Sequence, residues 1–125
     1  MNSYSDSFLR TCRNAYFDKQ RPFNIEIGRG ELYQKLSSLA NSLELSIFIG
    51  FLMEWQYYIN LWASVLILEE FRPEKERKLI GLNYNVSVVD ECIETIERYS
   101  ENFDQTQMDN YKKWLSLVKT RYLLP

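Results

Sequence analysis

Apolar residues recur along this chain at helical spacing almost from end to end. In the opening SYSDSFLRTCRNAYFDKQ, residues Tyr4, Phe8, Cys12, Ala15 and Tyr16 share one face, and Ser3 or Ser5 is available as N-cap. Arg21-Pro22 ends this helix, because the residue before proline is pushed out of the α region. The stretch RPFNIEIGRG alternates too briefly for a strand with no second strand to pair it, and reads as an ordered loop.

From Glu31 to Phe71 the pattern predicts two helices. Leu32, Leu36, Leu39 and Leu43 carry the stripe of the first, and Asn41 with Glu44 forms a capping pair that restarts the chain. The second is apolar nearly all round. One side holds Leu45, Phe48, Leu52, Trp55, Ile59, Trp62 and Leu66, and the other holds Ile47, Phe51, Tyr58, Leu61 and Val65. A helix apolar on every side lies centrally in a bundle, in a membrane or at an interface. Residues 45–68 are long enough to span a bilayer, but Glu54, Gln56 and Asn60 would fall in its middle at a cost of several kcal/mol. A central bundle helix is the expectation.

Pro73 suits the first position of a short helix PEKERKLIG closed by Gly81, with LNYN as a turn. Ser87 with Asp90, and Asp104 with Gln107, resemble capping boxes for two further helices. The last of these carries Met108, Tyr111, Leu115, Val118 and Tyr122 on one face. Short connections and the absence of a repeat predict an all-α single domain over residues 1–125. Its expected architecture is an antiparallel bundle of five or six helices around a central apolar helix.

The helix after Ser87 breaks the ordinary pattern. Asp90, Glu94, Glu97 and Glu101 recur at spacings of four, three and four, opposite Val89, Cys92, Ile93, Ile96, Tyr99 and Phe103. At 100° per residue the four carboxylates lie within about 60° of arc. Like charges so placed destabilise a helix by roughly 0.2–0.5 kcal/mol per pair, so stability alone does not account for them. Residues 86–109 hold seven acids against Arg98, a local net of −6, in a chain of net charge −2. Asymmetry of this kind governs partner choice and encounter rate.

Catalytic chemistry finds little support. The chain has no histidine, which excludes imidazole-dependent triads and metal sites. No P-loop, dinucleotide fingerprint or nucleophile elbow is present. Asp90-Glu91-Cys92-Ile93-Glu94 with Glu101-Asn102-Phe103-Asp104 superficially resembles the acidic motifs of the all-α nucleotide pyrophosphatases. Those enzymes need carboxylates from two helices, whereas both halves here lie on one and cannot converge on an ion. No metal or other cofactor is therefore expected. Cys12 and Cys92 fall on apolar faces and read as reduced core thiols.

FRPEKERK balances Arg72, Lys75, Arg77 and Lys78 against neighbouring glutamates and reads as a solvated salt-bridged helix. Lys112, Lys113, Lys119 and Arg121, with Trp114 and Tyr122 near them, make a better phosphate surface, but a pI near 5.2 argues against nucleic-acid binding. The sequence thus predicts a non-enzymatic protein-binding domain. Its sharper form is a cytoplasmic inhibitor or immunity-type protein that blocks a basic partner, such as a toxin nuclease, through Asp90, Glu94, Glu97 and Glu101. The alternative is a bundle that binds a small apolar ligand, or forms a homodimer, through Phe51, Trp55, Tyr58 and Trp62.

Overall fold

A computed structural model describes residues 3–79 and 86–125. Among the described residues the chain forms six α-helices and no strand: α1 (Ser3–Phe17), α2 (Glu31–Ala40), α3 (Leu45–Phe51), α4 (Ile59–Leu66), α5 (Val88–Ser100) and α6 (Gln105–Arg121). The expected helical bundle is what the chain adopts. No helix among the described residues is long and apolar enough to cross a membrane.

The bundle is organised around α4. All eight of its residues are buried, and it packs against α1, α2, α3 and α5. Burial of a large aliphatic or aromatic side chain stabilises the fold by about 1.5–3 kcal/mol, and Ile59, Leu61, Trp62, Val65 and Leu66 each contribute on that scale. Its two buried polar side chains are satisfied. Asn60 Oδ1 accepts from the Tyr99 hydroxyl at 2.6 Å, and the Ser64 hydroxyl donates to the Asn60 carbonyl at 2.8 Å.

The central apolar segment is not one helix, and here the expectation is corrected. It breaks after Phe51, passes through a 3₁₀ turn at Gln56–Tyr58 and resumes as α4. Tyr57 and Tyr58 both take left-handed backbone angles, with φ of 54° and 57°. A continuous helix over 45–71 would run to about 40 Å and carry Glu54 and Gln56 along the buried core. The break turns both side chains outward to exposed positions and leaves a continuous buried run from Ile59 to Leu68. Two left-handed tyrosines cost about 1–3 kcal/mol each, which their ring contacts must offset.

Other boundaries also move. Asn41 caps the C-terminus of α2, and Glu44 precedes α3 without a side-chain cap, so the two do not form the expected pair. The α2 face turned to the core is Tyr33, Leu36 and Ala40, while Leu32 and Leu39 are only half-buried. Residues 73–79 form no helix. A turn at Lys75–Glu76 leads to a single antiparallel bridge between Lys78 and Ser87, and the Val88 amide donates to the Arg77 carbonyl at 2.8 Å. Gly81 and the LNYN turn lie outside the described residues. The caps at Ser87 and Asp104 form as expected, the latter a complete capping box.

Residues 67–71 close α4 with a wide π turn, and the two glutamates on it reach outward in different directions. Glu69 accepts from the Trp114 indole at 3.0 Å and pairs with Arg121 at 3.5 Å, which ties down α6. Glu70 accepts from the Tyr33 hydroxyl at 2.7 Å, the Ser37 hydroxyl at 2.8 Å and the Asn41 amide at 3.2 Å, which ties down α2. Partial burial alone would raise the Glu70 carboxyl pKa. The three hydrogen bonds and Arg72 outweigh it and hold that carboxyl below its ordinary value.

Because the folded pKa of Glu70 is depressed, its stabilisation is present above the unfolded glutamate value of about 4.3 and is lost as pH falls through the folded pKa. Glu70→Gln keeps the volume but cannot accept from all three donors. It should lower stability by about 1–3 kcal/mol at neutral pH and flatten the acid limb of the unfolding free energy, measured by urea titration across pH. Cys12 and Cys92 are free and buried, and burial pushes both thiols far up. Both should resist a thiol reagent in the native state and react together only as the chain unfolds, which stopped-flow labelling in rising denaturant would record.

Candidate functional site

α5 presents its carboxylates as the periodicity predicts. Asp90, Glu94, Glu97 and Glu101 are all exposed, while Val88, Val89, Cys92, Thr95 and Ile96 face the core. Arg98 is the cation among them. It lies 3.7 Å from Glu91 and 3.5 Å from Glu94, and its own side chain is largely exposed. Asp90, Glu97 and Glu101 take part in no ion pair among the described residues.

The following helix does not neutralise this face. Arg121 turns away from it, donating to the Leu68 carbonyl at 2.8 Å and pairing with Glu69. Lys113 holds Glu26 at 3.0 Å, and Lys112 and Lys119 form no ion pair among the described residues. The acids also sit badly in the field of their own helix. Asp90 lies in the first turn, where negative charge is favourable, but Glu97 is in the last turn and Glu101 is the C-cap. A carboxylate there opposes the helix dipole by about 0.3–1 kcal/mol.

The four aromatic residues expected to form one seam are dispersed by the break before α4. Phe51 is in the core, stacked on Phe8 at 5.0 Å and edge-on to Phe48 at 5.3 Å. Trp62 is buried from the opposite side of the break. Trp55 is 77% exposed, beside Met53 at 74%. Tyr58 is half-buried in a surface cluster, 5.6 Å from Tyr16 and 5.5 Å from Tyr99. The Arg21 guanidinium lies over Tyr16 at 4.6 Å and over Tyr58 at 4.9 Å, a cation–π arrangement that pins the loop after α1 to the strained turn. Tyr57 completes the cluster against Tyr16 at 5.4 Å and Phe17 at 5.7 Å. Only Trp55 and Tyr58 of the expected four therefore share a surface, and Tyr16 and Tyr57 belong with them.

Glu54 is exposed on the turn. Trp114 is buried, so the C-terminal lysines have no free indole beside them. Among the described residues no group of three or more acidic or sulfur side chains is placed to hold a metal ion. No family model, curated protein or solved structure matches this chain.

An indole as exposed as that of Trp55 should dominate the red edge of the emission spectrum and be readily quenched by acrylamide. Trp55→Ala should remove that component and change stability by no more than about 0.5 kcal/mol, as for a surface substitution without a structural role. A larger loss in thermal unfolding would mean that Trp55 is held by the fold.

Proposed function

We propose that this chain is a non-enzymatic protein-binding domain that receives a basic partner on the acidic face of α5. In its sharper form it is an inhibitor of immunity type, blocking a basic enzyme such as a toxin nuclease by covering its nucleic-acid-binding cleft. The observation that carries this reading is the exposure of Asp90, Glu94, Glu97 and Glu101 on one rigid helix, three of them with no ion-pair partner among the described residues. Carboxylates aligned in this way present a charge density to which a phosphate-binding surface is complementary. Complementary fields raise association rates far above the neutral range and lose that effect as salt rises.

The exposed aromatic turn favours a second reading. Trp55 and Met53 stand out from the surface beside Tyr58, which suits self-association or a partner seated on the turn. A Trp55 emission that shifts with protein concentration would support the homodimer form of that reading.

The acidic-face reading is tested by reversing Glu94 and Glu97 to Lys together. With a basic partner captured from the source organism, the double reversal should slow association at low salt by about tenfold or more and leave helical content unchanged. Stopped-flow binding across a salt series measures it. An unchanged on-rate at low salt removes the acidic face from the proposal.

A further inference from the structure

On the side of the molecule formed by the 19–30 loop and the first turn of α2, the chain encloses a cleft of about 330 Å³. That volume is at the lower end of the range for small-molecule sites. Its walls carry three features that select the same kind of occupant.

The first is an uncapped helix end. Gly30 is the N-cap of α2, with φ 89° and ψ 159°, and no side chain accepts from the first-turn amides. Gly30, Glu31, Leu32 and Tyr33 line the cleft. The N–H groups of a first turn have no acceptor within the helix, and a carboxylate is a natural ligand for such an end. The left-handed φ at Gly30 keeps this position from being filled by an ordinary capping residue.

The second is Trp62. It is only 4% exposed, yet its indole N–H donates to no protein group among the described residues. Trp62 lines the cleft, and since no fully enclosed side-chain polar atom among the described residues lacks a partner, its nitrogen keeps some contact with open space. The contrast is Trp114, similarly buried, whose N–H is taken by Glu69 at 3.0 Å. Buried indoles ordinarily find an acceptor.

The third is charge. Lys19, Arg21 and Arg29 line the cleft against Glu26 and Glu31. Glu26 is already engaged, 3.0 Å from Lys113 and 3.5 Å from Arg29, and the Lys113 contact followed by Arg29 holds its carboxyl below the ordinary value. Arg21 is stacked on tyrosines and donates to the Tyr16 carbonyl at 2.9 Å. Lys19 forms no ion pair among the described residues and leaves the balance positive. Glu31, exposed at the first position of α2, is the opposing group and competes for the same helix end.

The geometry points to a binding site for a small aromatic carboxylate that carries a second oxygen. Its carboxylate sits on the first-turn amides of α2, its ring lies along Phe23, Ile27 and Tyr33, and the second oxygen accepts from the Trp62 indole. This site is independent of the acidic face, and it uses one residue of the expected aromatic seam, Trp62.

The probe is 6-hydroxy-2-naphthoate, with the corresponding neutral carboxamide as control, titrated into the full-length, isotope-labelled chain. Saturable shifts of the backbone amides at 31–33 and of the Trp62 indole N–H are expected, with the carboxamide at least about tenfold weaker because the charge-assisted bonds are lost. Glu31→Gln should tighten the naphthoate severalfold, and Trp62→Phe should weaken it. Absence of saturable shifts at millimolar probe, or equal affinity for the carboxamide, overturns the site. Should Trp62→Phe disturb the core, the exposed Glu31→Gln decides, and unchanged affinity in that variant counts against the proposal.

Discussion

A helix with no solvent face is the constraint from which the rest of this fold follows. α4 buries every residue from Ile59 to Leu66, and Ile67 and Leu68 beyond it stay buried, so other elements must cover it on all sides. α1, α2, α3 and α5 supply the cover. Within that shell the polar side chains of Asn60 and Ser64 are tolerable because each is hydrogen-bonded, Asn60 to a hydroxyl from α5 and Ser64 to the carbonyl one turn before it. An unsatisfied amide in the same place would cost about 1–3 kcal/mol, a sizeable share of the marginal stability of a small domain.

Each exit from α4 then performs a second structural task. At the N-terminal end the left-handed pair Tyr57–Tyr58 reverses the chain, and its rings gather Tyr16, Arg21 and Tyr99 into one cluster. At the C-terminal end the π turn delivers adjacent glutamates to different helices, Glu69 to α6 and Glu70 to α2. A carboxylate accepts several hydrogen bonds at once, which lets one residue fix a whole helix. The position of α2, and with it the open helix end in the cleft, depends on Glu70 as well as on Leu36 and Ala40 in the core.

The helical class, the N-caps at Ser87 and Asp104 and the acidic face of α5 were legible in the sequence, because each is a local signal of period or cap chemistry. The α5 face reads cleanly since its apolar and acidic residues segregate on opposite sides. The break before α4 was hidden because an all-apolar pattern has no phase: Trp55 fits a helical stripe whether or not the chain turns at Tyr57. Neither Gly nor Pro marks that turn, and the tertiary contacts of the tyrosines override propensity. The 73–79 segment misled for a related reason. Its charges suit a solvated helix, but the amide of Val88 draws Arg77 into an extended pairing that no local rule anticipates. On α6 the core residue Trp114 lay one step from Leu115 of the assumed stripe, although its spacing of three and four from Tyr111 and Val118 places it on the same buried face, where it packs on Phe23 and donates to Glu69.

Two kinds of residue on this surface work against local stability, and they do so differently. Glu97 and Glu101 are unfavourable because of where the helix dipole and their like-charged neighbours place them, an effect that salt screens. Tyr57 and Tyr58 are unfavourable because of backbone geometry, which salt does not touch, and their cost is offset by ring packing within the chain. The tyrosine strain therefore has a structural account: it ends the buried helix and anchors the loop after α1. The carboxylates of α5 have none of comparable weight, since they contact no other helix through an ion pair among the described residues. Asp90 at the favourable end of the helix and Glu94 beside Arg98 are partly balanced within α5, whereas Glu97 and Glu101 are balanced by no ion pair among the described residues, which is where they differ from the tyrosines.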